Sequence, residues 1–581
     1  MLKRYLYILK YGFQIDKSYL SIRLLLTFIS FISSAIILFL PKILLNAIAL
    51  KNFRAILIIL CLSFFISTIE AIISRFFSPR LSLLREKINA RIINDFLHKG
   101  INLDLEYFDR PGSYDKYTIT FGHCCTIVQG SFDILLSFIS SFLQVGLVIY
   151  VLSWLSPIAL LLFLIVCLTQ TYINNLTQRD NYEYQKQMNH HNRKLNYLYR
   201  LFYVPEFMRD IRANDIKQFI FEKRQTVTEK VLNDTFSANQ KISNKNFIVA
   251  LLSAVESFAT MLYFSLEVVW QKIWYDDFVV SLNAYNRLKS AFSKILSNFV
   301  TLSANDLYIK DYLSFMETAS NVKCGTKRLT TVDSIEFKDV SFQYPNSNKQ
   351  TLNNINFVVQ KGEHIAIIGK NGAGKTTIIK LLLRLYDPSN GKILINGTDI
   401  REYDISSLRK TVSVLFQDYS VYAFSIKENL TLGAKIPDER INIALDRVGL
   451  LDKVMSLPQG LDTPITNQLY EGGVEFSGGE LQRLALARAY LRDQSFFVLD
   501  EPTSNLDPFV ESRFFEDLLS QTTNTIIVIS HRITFTHKMS KIICINEGRV
   551  AEIGAPDVLL KNPNSLYKEM YDLNTAKYIK S

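Results

Sequence analysis

The stretch GKNGAGKT occupies residues 369–376 and directly follows the short apolar run HIAII at 364–368. The run predicts a buried strand, and the sequence TTIIKLLLRLY after Lys375 predicts a helix that continues through Tyr386. A glycine loop between a strand and a helix suits phosphate binding, because backbone N–H groups converge there and the helix N-terminus adds its dipole. The sequence therefore predicts an α/β domain that binds a nucleotide at this loop.

A second stretch, FFVLD at 496–500, predicts another buried strand that ends in an acidic pair. After a single strand, such a pair is most often an ordinary helix cap. Beside a phosphate loop, Asp500 suits the Mg²⁺ shell and Glu501 suits the general base that polarises the attacking water. Lys375 would contact the outer phosphates of ATP, and Thr376 would hold Mg²⁺. The expected ATP contacts in the loop are Gly369, Lys370, Asn371, Gly372, Ala373, Gly374, Lys375, Thr376 and Thr377.

The composition divides the 581-residue chain into two unlike halves. Apolar residues make up 48% of the chain and charged residues 20%, and long uncharged runs occur only before residue 320. The net charge of +11 would suit nucleic acid. The basic residues instead flank the apolar runs, where the cytoplasmic face of a membrane needs them, so we expect no nucleic-acid partner.

The apolar runs predict six transmembrane spans, since about 20 apolar residues are needed to cross a bilayer. They lie at 24–41, 55–73, 134–178 (two spans that break at 154–157), 247–270 and 278–303. Basic residues are concentrated in the first 23 residues and in the long segments 75–130 and 179–246. The positive-inside rule then places both termini, both segments and the ATP-binding half in the cytosol of a multi-pass cytoplasmic membrane protein in contact with lipid.

Three ionisable residues fall near the middle of predicted spans five and six. They are Glu256, Arg287 and Lys289. Charges inside a membrane are costly and are functional candidates. These residues are expected either to pair with one another, with Glu256 and Arg287 as the pair to test, or to line a water-filled cavity for a polar or charged cargo.

Taken together, these motifs resemble those of ABC transporters of the exporter type, over nearly the whole chain. The resemblance implies a helical membrane domain of six transmembrane helices fused to a P-loop ATPase with an antiparallel β subdomain and a helical subdomain. The corresponding boundaries are 1–320 for the membrane domain, 321–333 for a linker, 334–570 for the ATP-binding domain and 571–581 for a tail.

The resemblance also implies roles for residues that carry no signal alone. Tyr344 in FQYP matches the aromatic that stacks on adenine, and Gln417 in VLFQD matches the glutamine that touches Mg²⁺ and the attacking water. His531 in ISHR matches the switch histidine, and Asp507 ends the loop after the catalytic glutamate. The signature residues that bind the γ-phosphate from the other subunit are Ser477, Gly478, Gly479 and Glu480.

The signature departs from the usual LSGGQ, since Phe476 replaces leucine and Glu480 replaces glutamine. A carboxylate at that place would weaken nucleotide affinity or change its coupling to hydrolysis. One ATP-binding domain per chain implies a homodimer, or a heterodimer with a related half-transporter. The segments around Arg110 and Arg212 match the coupling helices of such exporters.

The expected function is ATP-driven export by alternating access. The stretches YFDRPGSYDKY at 107–117 and VLFQDYSVYAFSIKENL at 414–430 resemble those of exporters of lantibiotics and other bacteriocin peptides. A first span near residue 24 leaves no room for the N-terminal peptidase that some relatives carry. A lipid or lipid-linked oligosaccharide flippase and a multidrug efflux pump are the alternative cargo classes. A soluble ABC ATPase and an ATP-gated channel are alternatives of a different class.

Overall fold

The computed structural model describes residues 2–155, 157–320, 322–467, 470–492, 494–502, 508–520, 524–530 and 535–579. The chain forms two compact units. The first comprises Met1–Ile101 and Lys116–Thr318, and the second comprises Asn102–Asp115 and Ala319–Ser581. Residues 102–115 therefore group with the glycine-loop half, although they belong to the first half of the chain in sequence.

The first half of the chain is helical. Its helices are α1 (Leu2–Ile15), α2 (Lys17–Ala49), α3 (Phe53–Ile101), α4 (Leu105–Asp109), α5 (Pro111–Leu155), α6 (Pro157–Tyr203), α7 (Pro205–Ala213), α8 (Lys217–Val269) and α9 (Tyr275–Glu317). Helix α3 has 49 residues and α8 has 53, so each is about 75–80 Å long at 1.5 Å per residue. That is more than twice the apolar thickness of a bilayer, as expected for membrane helices that continue into the cytosol.

Four helices of the described chain are long and apolar enough to span a membrane. They are Lys17–Ala49, Phe53–Ile101, Gly112–Leu152 and Lys217–Val269. Helices α6 and α9 occupy the positions of the predicted fourth and sixth spans. The predicted break of the uncharged run at 134–178 falls next to residue 156, which lies outside the described residues, so the break stays a prediction; α5 is described up to Leu155 and α6 from Pro157.

The second unit contains two sheets. The strands are β1 (Ser334–Phe342), β2 (Leu352–Gln360), β3 (His364–Gly369), β4 (Asn390–Ile395), β5 (Thr398–Asp399), β6 (Ser413–Leu415), β7 (Phe496–Asp500), β8 (Thr525–Ile529), β9 (Lys541–Asn546) and β10 (Arg549–Gly554). Among these strands, β2-β1-β4-β5 form an antiparallel sheet, and β10-β9-β3-β8-β7-β6 form a mainly parallel one. The antiparallel sheet agrees with the predicted β subdomain.

Helices surround the parallel sheet and extend the unit. They are α10 (Lys375–Leu382), α11 (Ile405–Lys410), α12 (Ile426–Thr431), α13 (Asp438–Arg447), α14 (Leu451–Met455), α15 (Gly478–Leu491), α16 (Pro508–Ser520), α17 (Pro556–Lys561) and α18 (Leu566–Ile579). Helices α12 to α15 bury Ile426, Ile441, Val454 and Leu484 in one apolar cluster. The same cluster includes Ile368 of β3 and Phe497 of β7, so these helices share one apolar core with the parallel sheet.

The register of the parallel sheet brings the two predicted motifs to one edge. Strand β8 lies between β3 and β7, with Ile529 opposite both Ile367 and Asp500. The carboxyl ends of parallel strands meet at the same edge of a sheet, so the glycine loop and the acidic pair become neighbours. Both strands are buried apolar runs, as expected for the centre of such a sheet.

The helix after the glycine loop is shorter than the sequence predicts, since α10 ends at Leu382 and not at Tyr386. Arg384 has a left-handed backbone conformation with φ 48° and is 1% exposed. Its guanidinium donates to Asp387 Oδ1 at 3.0 Å and to the Lys323 carbonyl at 3.0 Å. A buried arginine must have its donors satisfied, and this tertiary requirement ends the helix one turn early.

Candidate nucleotide site

The glycine loop has the backbone shape that its glycines allow. Gly374 is the N-cap of α10 at φ 100°, and a Cβ there would lie 2.6 Å from Leu352 Cδ2. Gly369 has φ 155°, and a Cβ there would lie 2.2 Å from the Ile545 carbonyl oxygen. Any side chain at these positions would displace the loop. The loop therefore presents backbone N–H groups at the start of a helix, which is a site for anions.

The ammonium of Lys375 is held at the centre of this loop. Its Nζ donates to the carbonyls of Gly369 at 3.0 Å and Lys370 at 3.1 Å. Burial lowers the pKa of Lys375, while the nearby Glu501 and Asp500 partly oppose that shift. A cation among carbonyls and converging N–H groups can exchange these contacts for phosphate oxygens.

A pocket of about 460 Å³ opens in front of the loop. Its walls are formed by Tyr344, Thr351, Asn371, Gly372, Gly374, Lys375, Thr376, Thr377, Gln417 and Glu501. Most of these residues are the ones predicted from the sequence. Gly369, Lys370 and Ala373 belong to the loop but do not line the pocket, and Ala373 is buried. Thr351 was missed, because it lies in a polar stretch without any motif.

Asp500 has a buried carboxylate that could bind a cation. It is 1% exposed, and neither oxygen makes a hydrogen bond with good geometry to the described residues. Burial raises its pKa to about 6, although the neighbouring Thr376 hydroxyl and Lys375 oppose the shift. An unsatisfied buried carboxylate beside a threonine hydroxyl fits hard divalent cations such as Mg²⁺, which accept oxygen ligands.

Glu501 follows Asp500 and points into the pocket. Gln417 Nε2 donates to its Oε2 at 2.9 Å. Its backbone is left-handed, with φ 48°, and it is anchored on both sides. The Glu501 N–H donates to the Ile529 carbonyl at 2.9 Å, and Gln482 Nε2 on α15 donates to the Glu501 carbonyl at 3.3 Å. Strain of this kind at a non-glycine residue is typical of functional sites.

Tyr344 provides an aromatic wall that is connected to the segment 102–115 within the same unit. Its hydroxyl lies 3.1 Å from Thr377 Oγ1, and its ring meets the Tyr386 ring edge-on at 5.5 Å. The Tyr386 hydroxyl in turn donates to the carboxylate of Asp109 at the end of α4. Asn346 Nδ2 also donates to the Asp109 carbonyl, at 2.9 Å. Asp109, next to Arg110, therefore contacts Tyr386 and Asn346 within the same unit.

The signature begins α15. Ser477 is the N-cap, and a capping box joins it to Glu480, whose Oε2 accepts the Ser477 N–H at 2.9 Å. Gly478 follows, and a Cβ there would meet nothing within 4 Å. The fold of the described chain does not require a glycine at this position. A glycine without an internal reason suits the approach of a ligand or of a second copy to the backbone.

The signature and the glutamine loop are also connected. The Tyr419 hydroxyl donates to the Gly478 carbonyl at 3.0 Å. Tyr419 lies two residues after Gln417, so one short loop contacts both the catalytic pocket and the signature of the same chain. Neither Tyr419 nor Gln482 was predicted, although both lie within five residues of a recognised motif.

Two predicted site residues lie outside the described part of the chain. They are Asp507, in the loop after the acidic pair, and His531, the switch histidine. Their expected roles stay predictions.

In the first unit, Glu256 pairs with Lys289 and not with Arg287. Glu256 is 5% exposed, and its Oε2 lies 3.0 Å from Lys289 Nζ. Tyr285 donates its hydroxyl to Glu256 Oε1 at 2.6 Å. Arg287 points elsewhere and donates to Ser34 Oγ on α2 at 2.7 Å. Lys289 therefore forms the ion pair with Glu256, and Arg287 joins α9 to α2 through Ser34.

Comparisons with known proteins agree with this geometry. The ABC transporter family matches residues 352–504. The Subtilin transport ATP-binding protein SpaT of Bacillus subtilis is 28% identical over 523 residues, which cover 87% of this chain and 83% of SpaT. The Nisin transport ATP-binding protein NisT of Lactococcus lactis subsp. lactis is 26% identical, over 97% of this chain and 95% of NisT.

A solved structure shares the whole fold. A bacterial Atm1-family ABC exporter with ATP bound matches 96% of this chain and 98% of its own, with a TM-score of 0.79 and 20% identity. Among partial matches, the ATP-dependent lipid A-core flippase of Haemophilus ducreyi is 34% identical over 45% of each chain. The chain therefore contains an ABC transporter ATP-binding domain joined to apolar helices on a single polypeptide, and over most of its length it is similar to ABC exporters of the half-transporter kind.

Proposed function

We propose that two copies of this chain form an exporter that uses ATP to move a peptide out of the cytosol across the cytoplasmic membrane. The observation that carries the proposal is the pocket in which Lys375, Thr376, Gln417 and Glu501 meet at one edge of the parallel sheet. The pocket combines a phosphate loop, a candidate general base and a residue that orients it.

The chemistry follows from the positions of these side chains. Lys375 and the loop N–H groups bind the outer phosphates of ATP, and Thr376, Asp500 and Gln417 would hold Mg²⁺. When bound, Mg²⁺ neutralises charge on the phosphates. Glu501 accepts the proton of the attacking water, and the Gln417 amide keeps the Glu501 carboxylate aimed at that water.

The signature of a second copy completes the site. Among the described residues nothing lies within 4 Å of a Cβ placed at Gly478, which supports the approach of a second copy to this backbone. In this proposal Ser477 and the first turn of α15 receive the γ-phosphate of ATP held by the partner. His531 senses that phosphate, and Asp507 contacts the partner across the dimer.

In the membrane, helices α2, α3, α5, α6, α8 and α9 supply the six spans, with both termini in the cytosol. ATP closes the two ATP-binding domains, and α4 and α7 carry that motion to the long helices. An inward-facing cavity then becomes outward-facing, and hydrolysis resets it.

The cargo assignment rests on how far each similarity extends. Alignments with SpaT and NisT cover 87% and 97% of the chain, so they must include its membrane part. The mitochondrial iron-sulfur clusters transporter ATM1 of Saccharomyces cerevisiae aligns over 41% of the chain, and the lipid A-core flippase over 45%. This difference favours a lantibiotic-like or other bacteriocin-like peptide over a lipid or a metal cluster.

Inside-out vesicles test the proposal directly. Wild type and Glu501→Gln would be compared for ATP-dependent accumulation of labelled bacteriocin-like peptides, small drugs and fluorescent lipids. We expect peptide uptake by wild type alone, and a loss of hydrolysis of at least about 100-fold in Glu501→Gln with ATP still bound.

Other outcomes would redirect or end the proposal. Lipid movement without peptide uptake would make the protein a flippase, and drug uptake alone would make it a multidrug pump. Wild-type turnover in Glu501→Gln would remove Glu501 as the base.

A further inference from the structure

The carboxylate of Glu480 stands in the first turn of α15, at the helix end that would receive a phosphate. The N–H groups of that turn have no partner within the helix, and the helix dipole attracts anions. An uncompensated carboxylate there would repel a nucleotide, since like charges in a partly buried site oppose each other strongly. Glu480 is partly buried, with 17% of its side chain exposed. A nearby positive charge is therefore needed to neutralise the Glu480 carboxylate.

Lys453 on α14 supplies that compensation. Its Nζ lies 2.7 Å from Glu480 Oε2, the same oxygen that accepts the Ser477 N–H. Lys453 also stands 4.8 Å from the centre of the Phe476 ring, in a cation–π contact. Phe476 and Glu480, the two unusual residues of the signature, therefore both contact the side chain of Lys453. Burial would raise the pKa of Glu480, but the hydrogen bonds from Lys453 and Ser477 outweigh it and hold the pKa below its ordinary value.

The capping geometry leaves the phosphate-binding groups available. The Glu480 carboxylate takes the N–H of Ser477, and the Ser477 oxygen faces the Glu480 N–H at 3.4 Å. Ser477 and Gly478 are both exposed residues. The carboxylate is thus turned back toward α14 and paired, while the helix end stays open.

We propose that Lys453 is a specificity-determining and positioning residue for the nucleoside triphosphate. It neutralises and holds back the Glu480 carboxylate, so that the signature can accept the γ-phosphate bound by the partner subunit. The inference rests on the composite site of the proposed function. Lys453 itself does not touch the nucleotide.

The test is ATP hydrolysis by the full chain in lipid nanodiscs, with KM and kcat measured separately. Lys453→Met should raise the KM for ATP by roughly fivefold to tenfold, because it exposes one negative charge near the phosphate. The kcat should stay within about twofold. The KM increase should shrink in high salt, which screens charges. Lys453→Arg should keep the wild-type KM.

The second half of the test places Lys453→Met in a Glu480→Gln background. Glutamine keeps the capping box but carries no charge. In that background Lys453→Met should change KM by less than about twofold. Persistence of the full KM increase, or no KM increase in Lys453→Met alone, would overturn the proposal. A purely structural role for Lys453 would lower kcat or thermal stability and would not be rescued by glutamine.

Two controls separate this inference from the site on which it rests. Lys427→Met removes a similar ion pair, with Asp438 at 2.6 Å, that joins α12 to the start of α13 and should leave KM unchanged. A Cβ at Gly478 would meet none of the described residues within 4 Å, and Gly478→Asp should abolish hydrolysis. Normal hydrolysis by Gly478→Asp would refute the composite site. Loss there, without any effect of Lys453→Met, would refute only the role of Lys453.

Discussion

The pair between Glu256 and Lys289 should make the membrane helices sensitive to removal of one charge. Glu256→Gln leaves the Lys289 ammonium without a counter-ion between α8 and α9. Breaking a buried pair on one side costs about 3–5 kcal/mol. Lys289 keeps a hydrogen bond to Ser253 Oγ at 2.6 Å, and a quarter of its side chain is exposed. We therefore expect a smaller loss, of about 2 kcal/mol.

Lys289→Met should cost at least as much as Glu256→Gln, because the side chain of Glu256 is only 3% exposed and that of Lys289 is 25% exposed. The Glu256 carboxylate would keep its hydrogen bond from Tyr285 at 2.6 Å. The double variant removes both charges and should be more stable than the sum of the two losses implies. The coupling between the two positions should be about 1–2 kcal/mol.

Thermal unfolding in detergent, followed by the fraction of monodisperse protein, ranks these variants. A loss of 2 kcal/mol corresponds to a decrease in melting temperature of about 5 °C in a domain of this size. Arg287→Met combined with Glu256→Gln is the matched control, and it should be additive because Arg287 contacts Ser34 instead. Additive losses for Glu256 and Lys289, or coupling between Glu256 and Arg287, would refute the pairing.

Three further predictions concern the ATP-binding unit. Asp500→Asn should stabilise the nucleotide-free protein by about 2 kcal/mol at pH 7.5 and by less at pH 5, because a pKa raised to about 6 makes the ionised carboxylate destabilising only as the pH rises. In a thermal shift assay the same variant should lose its stabilisation by Mg·ATP. A nucleotide-free variant that is only as stable as wild type would contradict this reasoning. Gly374→Ala should abolish ATP binding, measured with a fluorescent nucleotide, because φ 100° and the close Leu352 side chain exclude a Cβ. Tyr386→Phe should increase hydrogen–deuterium exchange in the segment around Asp109 with ATP hydrolysis retained, and unchanged exchange would argue against that contact.

The elements nearest to motifs were predictable from sequence, because their physics is local. The glycine loop and the buried strand that ends at Asp500 both depend on a few adjacent residues. The partner of Glu256 was not predictable, because depth in the membrane does not say which side of α9 faces α8. The early end of α10 depends on the distant carbonyl of Lys323.

Lys453 and Tyr386 were missed for a similar reason, because their contacts depend on the tertiary fold. Lys453 lies in an ordinary amphipathic helix, and only the fold places it on Glu480. The sequence places Tyr386 at the end of a helix, and only the structure shows that its hydroxyl donates to Asp109. Such contacts join residues far apart in sequence, and a single sequence carries no local signal for them.

The ATP-binding unit is discontinuous in sequence, and this has a consequence for any exchange of domains between relatives. A chimera joined at one point near Ala319 would pair Tyr386 and Ser320 of one parent with Asp109 and Asp104 of the other. Those contacts would match only by chance. A functional graft would have two inserts, one of them the fourteen residues 102–115, which follow α3 and include the start of α5, so the ATP-binding unit cannot be exchanged at a single junction.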